Sequence, residues 1–222
     1  MWKIIPNVME KPDILARSIN ETLVMLGWSG GISFALGMFL GVVITVTKKG
    51  GVMEIPPLYQ TLEKLINFLR SIPFIILLAS LIPLTRLIMG TAIGVRGAIV
   101  PLVFGTVPFF ARQIESALAE LDPGVVEAAL SMGSSPVEII FRVYLKESVA
   151  PIARATTITA ISLIGLTAMA GAVGAGGLGD FAIRYGHQRN QIDVTYVTIL
   201  ILALLVSVIQ LSGNLIAAKN TH

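Results

Sequence analysis

The feature that most constrains this chain is a set of three long tracts without a charged side chain. Residues 22–46, 155–179 and 194–218 contain no Asp, Glu, Lys or Arg. About 20 helical residues cross a bilayer core roughly 30 Å thick, and in lipid the backbone must satisfy its own hydrogen bonds. The tracts therefore predict membrane-spanning helices. A hydrophobic content of 55%, a charged content of 13% and a mean hydropathy of +0.83 exclude an ordinary soluble domain.

Two shorter apolar tracts, at 71–85 and 97–111, complete the predicted bundle. Each can be lengthened across a flanking arginine whose side chain reaches toward the headgroups. We therefore predict an all-α polytopic membrane protein with one transmembrane domain over residues 1–222 and a loop at 122–148 between its third and fourth spans. The five spans are predicted at about residues 22–46, 66–85, 93–111, 150–170 and 194–217.

Charge gives an orientation and excludes some partners. With the N-terminus outside, nine of the 16 Lys and Arg residues fall in cytoplasmic segments and seven in external ones, which agrees with the positive-inside rule. A net charge of +3 without a basic run does not favour nucleic-acid binding. The chain has no cysteine, which excludes disulfides and thiolate metal sites.

The predicted loop carries two helix-start patterns in succession. Asp122 can cap a helix whose first residue is Pro123, and this helix is expected to end near Gly133. Ser135 followed by Glu138 matches a capping box and starts a second helix. The loop is therefore predicted to contain a helix, a glycine turn and a second helix.

The two predicted helices have surfaces that suit a partner. In the second helix Val137, Ile140, Phe141 and Tyr144 follow the spacing of one helical face. In the first, the pair of alanines in Glu127-Ala128-Ala129 makes the helix thin enough to enter a groove on another protein. Physics alone leaves two interpretations open, a docking element and a structural connection.

The residues of this loop resemble a known family motif. Glu127-Ala128-Ala129 and Gly133, followed by Val143 and Leu145, look like the "EAA" loop of permease subunits in bacterial ABC importers, although that pattern ends in a proline where this chain has Lys146. The resemblance implies that the loop forms a cytoplasmic coupling helix that seats in a cleft of the ATP-hydrolysing subunit.

Further segments resemble the methionine-uptake permeases of that family. They are "RSIPFIILL" (70–78), "GAIVPL" (97–102), "PFFARQIE" (108–115) and "AMAGAVGAGGLGD" (168–180). The resemblance implies a type I ABC importer permease fold in the bacterial cytoplasmic membrane, with the N-terminus outside and the C-terminus in the cytoplasm. Its implied partners are a second copy of the chain, two ATP-binding subunits, an external substrate-binding lipoprotein and membrane lipid. The chain would then transport L-methionine, with D-methionine as a second candidate substrate, without being an enzyme, while ATP and Mg²⁺ would bind the separate ATPase subunit.

The resemblance also suggests where the transport pathway lies. The corresponding span of those permeases lines the pathway, so Met169 is a candidate apolar gate against its counterpart in a second copy. Thr156, Thr159 and Thr167 are candidate polar pathway residues. For the threonines, hydrogen bonding back to their own helix is an equally open interpretation.

Two further motifs lie in surroundings that do not suit the functions they usually indicate. Residues 174–179 fit G-x-G-x-x-G, but a tract of membrane-span length precedes them where a dinucleotide site needs a short strand. Residues 27–31 fit G-x-S-x-G around Ser29, and the histidines that an intramembrane protease would need are limited to His187 and His222. Three alternatives to methionine import remain: import of another small solute, an energy-independent carrier, and this protease.

Overall fold

In the computed structural model, which describes residues 5–220, every regular element is a helix. Two single π-helical turns, at Ile140–Tyr144 and Ala182–His187, interrupt or extend the α-helices, and the wide turn at Gly171–Ala175 is kinked by non-helical backbone at Val173 and Gly174. In chain order the α-helices are α1 (Pro6–Met9), α2 (Pro12–Thr47), α3 (Pro56–Ser71), α4 (Phe74–Ser80), α5 (Ile82–Met89), α6 (Gly94–Ala119), α7 (Pro123–Ser131), α8 (Pro136–Ile139), α9 (Leu145–Glu147), α10 (Val149–Ala170), α11 (Gly177–Phe181) and α12 (Ile192–Lys219).

Four helices in the described part of the chain are long and apolar enough to cross a membrane. They are α2, α6, α10 with the turn that continues it to Ala175, and α12. The all-α membrane fold class is thus confirmed, and the first span begins earlier than expected, at Pro12.

The predicted number of spans was five, whereas four are found among the described residues. The difference arises because the segment predicted as one span at 66–85 is divided among α3, α4 and α5. Pro73 lacks an amide hydrogen and disfavours helical geometry at the preceding residue, so α3 ends at Ser71. A second break follows at Leu81, whose ψ of 1° leaves the helical region.

One compact unit combines residues 5–32, 72–105 and 160–209. Its core joins α2, α6 and α10 through the fully buried Met25, Leu102 and Leu163. A smaller apolar cluster holds the N-terminal segment in place, and next to it the backbone and side-chain amides of Asn7 both donate to the carboxylate of Asp193 at 2.9 Å. The start of the chain is therefore tied to the start of α12.

The second unit combines residues 33–71, 106–159 and 210–220. Within it α2 and α6 approach closely, because the side chains of Phe110 and Ile114 occupy the space that a Cβ would need at Gly37 and Gly41. These two side chains belong to the largest apolar core of the unit, which extends into the loop at 122–148.

A polar contact joins the amphipathic helix α3 to α6 in the same unit. The Arg112 guanidinium donates to Glu115 at 2.5 Å on its own helix, and to Asn67 at 3.0 Å and Glu63 at 3.5 Å on α3. The Arg112 side chain is only 20% exposed, so water reaches its guanidinium poorly. These hydrogen bonds therefore satisfy donors of the guanidinium that would otherwise lack partners.

Candidate functional site

The loop between α6 and α10 folds as its capping residues predict. Asp122 is extended and its Oδ1 accepts the Gly124 amide at 2.8 Å, while Pro123 opens α7. The helix ends at Ser131, and Gly133 takes a φ of +80°, a value that L side chains rarely adopt. The first predicted helix and its glycine turn are confirmed.

The second helix start is also confirmed. Ser135 Oγ accepts the Glu138 amide at 3.3 Å, and Glu138 Oε2 accepts the Ser135 amide at 3.0 Å, which completes the capping box. The hydrogen bond from the Ser135 amide, followed by that from its hydroxyl, lowers the pKa of Glu138 below its ordinary value. The start of α8 is thus formed by residues only three positions apart.

The face of this second helix differs from the prediction. The π-helical turn directly after α8 inserts an extra residue, so that Ile139 and Tyr144, five positions apart, are the buried pair. Val137 and Phe141, which were predicted to share a face with Tyr144, are instead 58% and 66% exposed. Burial raises the pKa of the Tyr144 hydroxyl.

The exposed side of the loop carries apolar side chains around the EAA residues. Glu127 and Ala128 are exposed, whereas Ala129 is 4% exposed and packs in the core below, so the structure divides the alanine pair. We call the exposed set the coupling face. It consists of Glu127, Ala128, Leu130, Met132, Val137 and Phe141.

Leu130 and Met132 were not predicted as part of this surface. They flank the glycine turn, and Met132 is 78% exposed at the C-terminal cap of α7. Their apolar character in an otherwise polar turn is the sequence signal that could have identified them. A cluster of exposed apolar side chains of this kind marks an interaction surface.

A small cavity of about 240 Å³ lies beside α7 in the same unit. Glu127, Val126 and Leu130 line it from α7, and Lys48 with residues 50–52 lines it from the connection between α2 and α3. That connection lies far from the loop in sequence, so capping and periodicity gave no indication of the contact. The connection between α2 and α3 therefore faces α7 across this cavity.

The candidate gate residue lies on an exposed face of α10. Met169 is 43% exposed, and Ile158, Ser162 and Gly165 are exposed at the spacings that place them on the same face. The face therefore combines two large apolar side chains, Met169 and Ile158, with the two small residues between them.

The three candidate threonines of α10 bond to their own helix. The hydroxyls of Thr156, Thr159 and Thr167 donate to main-chain carbonyls three or four residues earlier at 2.7 to 2.8 Å. Thr159 and Thr167 are buried within the single chain, whereas Thr156 is partly exposed.

The glycine-rich segment after α10 is a tight turn between helices. Gly174, Gly176 and Gly177 all have positive φ, and α11 begins at Gly177. Two side chains of α2 bind the amides at the start of α11: Glu21 Oε2 accepts the Gly177 amide at 2.8 Å, and Thr22 Oγ1 accepts the Leu178 amide at 2.9 Å. A dinucleotide-binding fingerprint requires a strand before the glycines, whereas the helix α10 stands at that position here.

The serine and histidine of the protease hypothesis do not come together in the described chain. Ser29 is fully buried in α2, and its hydroxyl has no hydrogen-bond partner among residues 5–220. His187 is exposed at the end of a π-helical turn, and His222 lies outside the described residues. No base therefore contacts Ser29 in the part of the chain that the structure describes.

Comparison with known proteins gives consistent results. Residues 33–220 match the family described as binding-protein-dependent transport system inner membrane component. A probable D-methionine transport system permease protein MetI of Vibrio cholerae serotype O1 is 47% identical over 210 residues, which are 95% of this chain and 93% of that protein. The D-methionine transport system permease protein MetI of Escherichia coli strain K12 is 44% identical over 146 residues, which are 66% of this chain and 67% of the relative.

Solved structures match nearly the whole chain. An inward-facing structure of the MetNI methionine ABC transporter, in its native crystal form, superposes with a TM-score of 0.92 at 42% identity and covers 96% of this chain and 99% of that one. A crystal structure of an amino acid ABC transporter with histidines has a TM-score of 0.79 at 16% identity, which supports the fold alone.

Proposed function

This chain belongs to the family of binding-protein-dependent transport system inner membrane components, and from that premise we propose that it imports methionine as the permease subunit of an ATP-driven transporter. It is a multi-pass membrane protein and a transport component rather than a catalytic one. In the proposed complex two copies pair, each docks one ATP-binding subunit, and an external binding lipoprotein delivers the amino acid. The N-terminus lies outside and the C-terminus in the cytoplasm.

The coupling face is the observation that carries this proposal. A capped helix presents Glu127 and Ala128 to solvent, with exposed apolar side chains at Leu130, Met132 and Phe141, while the same loop is fixed to the bundle by Ala129 and Ile139. A short rigid helix of this kind transmits a displacement instead of absorbing it. Closure of the ATPase subunits on ATP would move the loops, and the spans would alternate between inward-open and outward-open states.

Substitution at Ala128 tests the coupling role directly. Ala128→Arg adds a large charged side chain to an exposed position, so we expect the permease to insert and fold but to lose binding of the ATPase subunit and ATP-dependent uptake. Ala218→Arg, at an exposed alanine of α12, is the matched control and should keep both. Undiminished ATP-dependent uptake by Ala128→Arg would contradict the proposal, and uptake without any ATPase subunit would indicate an energy-independent carrier.

We propose that two copies meet through the exposed face of α10. In that arrangement Met169 contacts its counterpart as an apolar gate, and the small Ser162 and Gly165 allow the helices to approach. Thr156, Thr159 and Thr167 are the proposed polar groups of the pathway. Because their hydroxyls already donate hydrogen bonds to main-chain carbonyls of α10, we expect them to bind a passing solute only weakly.

The absence of native cysteine makes the pairing simple to test. Met169→Cys introduces a single thiol, and we expect oxidation of the assembled transporter in membranes to give a disulfide-linked permease dimer. Leu204→Cys, on the exposed surface of α12, serves as the control and should stay monomeric. A dimer from Leu204→Cys with none from Met169→Cys would place the interface elsewhere.

The substrate assignment is supported by relatives named as D-methionine permeases and by structures named as methionine transporters. Uptake of labelled L-methionine in a strain that lacks this chain should be restored by its expression, and unlabelled L- and D-methionine should be compared as competitors. If methionine uptake is unchanged by removal of the chain, another small solute is the substrate.

A further inference from the structure

An open cavity of about 630 Å³ lies within one compact unit, where the ends of several helices meet. Its walls come from the first turns of α2, from residues 91–96 and from the segment at 174–185. Charged and apolar side chains both line it. The charged ones are Arg17, Glu21, Arg96, Asp180 and Arg184, and the apolar ones include Ile14, Ile93 and Val95. The cavity is therefore amphipathic.

The cavity also lies where the chain changes from charged to apolar. Glu21 directly precedes the charge-free tract of α2, and Arg96 directly precedes the apolar tract of α6. Asp180 directly follows the charge-free tract that begins in α10. Tracts of this length cross the hydrocarbon core, and charged residues are found at their ends. Three separate segments thus place the cavity at the depth of the lipid headgroups.

The charges in the cavity wall do not balance. Arg17 Nε donates to Glu21 Oε1 at 2.8 Å, and Arg184 donates to Asp180 Oδ1 at 3.0 Å. Both acids are thus paired, whereas the third cation, Arg96, is exposed and has no ion pair within residues 5–220. The cavity therefore offers one guanidinium without a counter-charge.

Two further observations increase the demand for negative charge. Tyr185 lines the cavity, and the guanidinium carbon of Arg189 lies 4.8 Å from the centre of its ring, so a fourth cation stands close to the same wall. Arg96 is the third residue of α6, near the positive end of the helix dipole, where a cation is disfavoured. An anionic ligand would relieve both sources of repulsion.

We propose that this cavity binds the headgroup of one anionic phospholipid, with the phosphate on Arg96 and the start of an acyl chain against Ile93. The fork of guanidinium donors suits a phosphate, and basic pockets between membrane helices bind anionic headgroups. Ile93 is 77% exposed at the cavity wall, so an amphipathic ligand can contact the charged and the apolar side chains together. The proposal goes beyond the proposed function, because lipid binding requires neither a transported solute nor an ATPase subunit.

The test measures lipid binding to the purified full-length permease in detergent by native mass spectrometry. Phosphatidylglycerol and phosphatidylcholine with the same acyl chains are the probes, and the wild type should bind the anionic lipid about tenfold more tightly. Arg96→Gln should reduce this preference about fivefold, whereas Arg96→Lys should keep most of it because the charge remains. Arg86→Gln, at an exposed position on α5 that does not line the cavity, should change the preference by less than about twofold.

A second pair of measurements separates a lipid from a free anion. Ile93→Asn removes the apolar contact without a change of charge, so it should weaken binding of phosphatidylglycerol about threefold. An excess of inorganic phosphate at constant ionic strength should leave the lipid bound, because phosphate alone gains nothing from the apolar wall.

Each other result overturns the proposal. Equal affinity of the wild type for both lipids would overturn it, as would an unchanged preference in Arg96→Gln. Equal losses in Arg96→Gln and Arg86→Gln would assign the preference to surface charge in general. Displacement by phosphate, together with full lipid binding by Ile93→Asn, would make the cavity a site for a free anion instead. None of these results bears on methionine uptake, so the proposed function would stand.

Discussion

The coupling loop and the glycine-rich turn after α10 both restart a helix after glycine, but the side chains that cap the new helices come from different parts of the chain. In the loop, Asp122 caps α7 two residues onward, and Ser135 and Glu138 cap each other across three. In the turn, α11 receives its caps from Glu21 and Thr22, which lie 156 residues earlier. The caps of the coupling loop are thus local in sequence, whereas the caps of α11 depend on the tertiary fold.

This difference teaches how each region can respond to movement. A loop that carries its own helix caps keeps its shape when its surroundings move. This property suits an element that transmits a displacement from a partner subunit. A turn capped by α2 must follow α2, because the amides at its helix start lose their acceptors if the two separate. We expect the following substitutions to separate the two cases.

The largest expected effect is at Gly179 in α11, the helix that follows the glycine-rich turn. A Cβ there would meet the backbone of Ala168, which cannot move aside as a flexible side chain can, so Gly179→Ala should lower the free energy of unfolding by about 3 kcal/mol. Thermal unfolding of the purified permease in detergent measures this change. Gly27→Ala has open space in the middle of α2 and should be neutral or slightly stabilising. A neutral Gly179→Ala would show that α11 is loosely packed against Ala168.

Removal of the distant caps should have the next largest effect. Glu21→Gln combined with Thr22→Val weakens one acceptor and removes the other, which should cost about 1–3 kcal/mol because two amides lose full satisfaction. Hydrogen exchange should speed up at residues 177 and 178 while residues 123–139 keep their protection. Glu10→Gln, at an exposed acid of the N-terminal segment, is the control. Faster exchange in the coupling loop would contradict the separation of the two regions.

A local cap should give a smaller and confined effect. Asp122→Ala removes the acceptor of the Gly124 amide and should destabilise α7 by about 1 kcal/mol. The faster exchange is expected within 123–131, with the glycine-rich turn after α10 unchanged. Asp122→Asn keeps an acceptor at the cap and should behave like the wild type. Spread of the effect to residues 171–181 would show that the loop is coupled to the turn.

The smallest expected effect is a pH dependence of the second helix start. Because hydrogen bonds from Ser135 lower the folded-state pKa of Glu138, its stabilising contribution is present above the ordinary glutamate pKa and is lost as the pH falls through the lowered value. Amide exchange at Ser135, corrected for its intrinsic pH dependence, should therefore lose protection at acidic pH. Glu138→Gln should remove this dependence, and an identical acid response in that variant would assign it to another group.

Sequence reasoning succeeded where the interactions are short in range. Asp122, Pro123, Gly133 and Ser135 act within three residues of their partners, so their roles follow from local chemistry. The π-helical turn at Ile140–Tyr144 was missed because ordinary helical spacing fits the same residues, and the true buried pair emerges only from packing.

The remaining misses have two causes. The acceptors Glu21 and Thr22 had no local pattern that marked them as caps for a distant helix. The segment at 66–85 was apolar enough for a span, but hydropathy does not register the helix break that Pro73 causes. Family resemblance identified the loop and its partner class, which residue chemistry alone left open.

The π-helical turn also fixes the angular phase between the coupling face and α10. One α-helical residue corresponds to a rotation of about 100°, so the same residues wound as an ordinary α-helix would turn α8 by about that angle relative to the following helix, whereas deletion of one residue within Ile140–Tyr144 would leave Ile139 and Tyr144 four positions apart and still on one face. The winding of this turn, and not only the identity of the residues in the coupling face, therefore decides which side of α8 is exposed. The extra residue thus acts as an angular spacer that sets the direction in which the loop is presented.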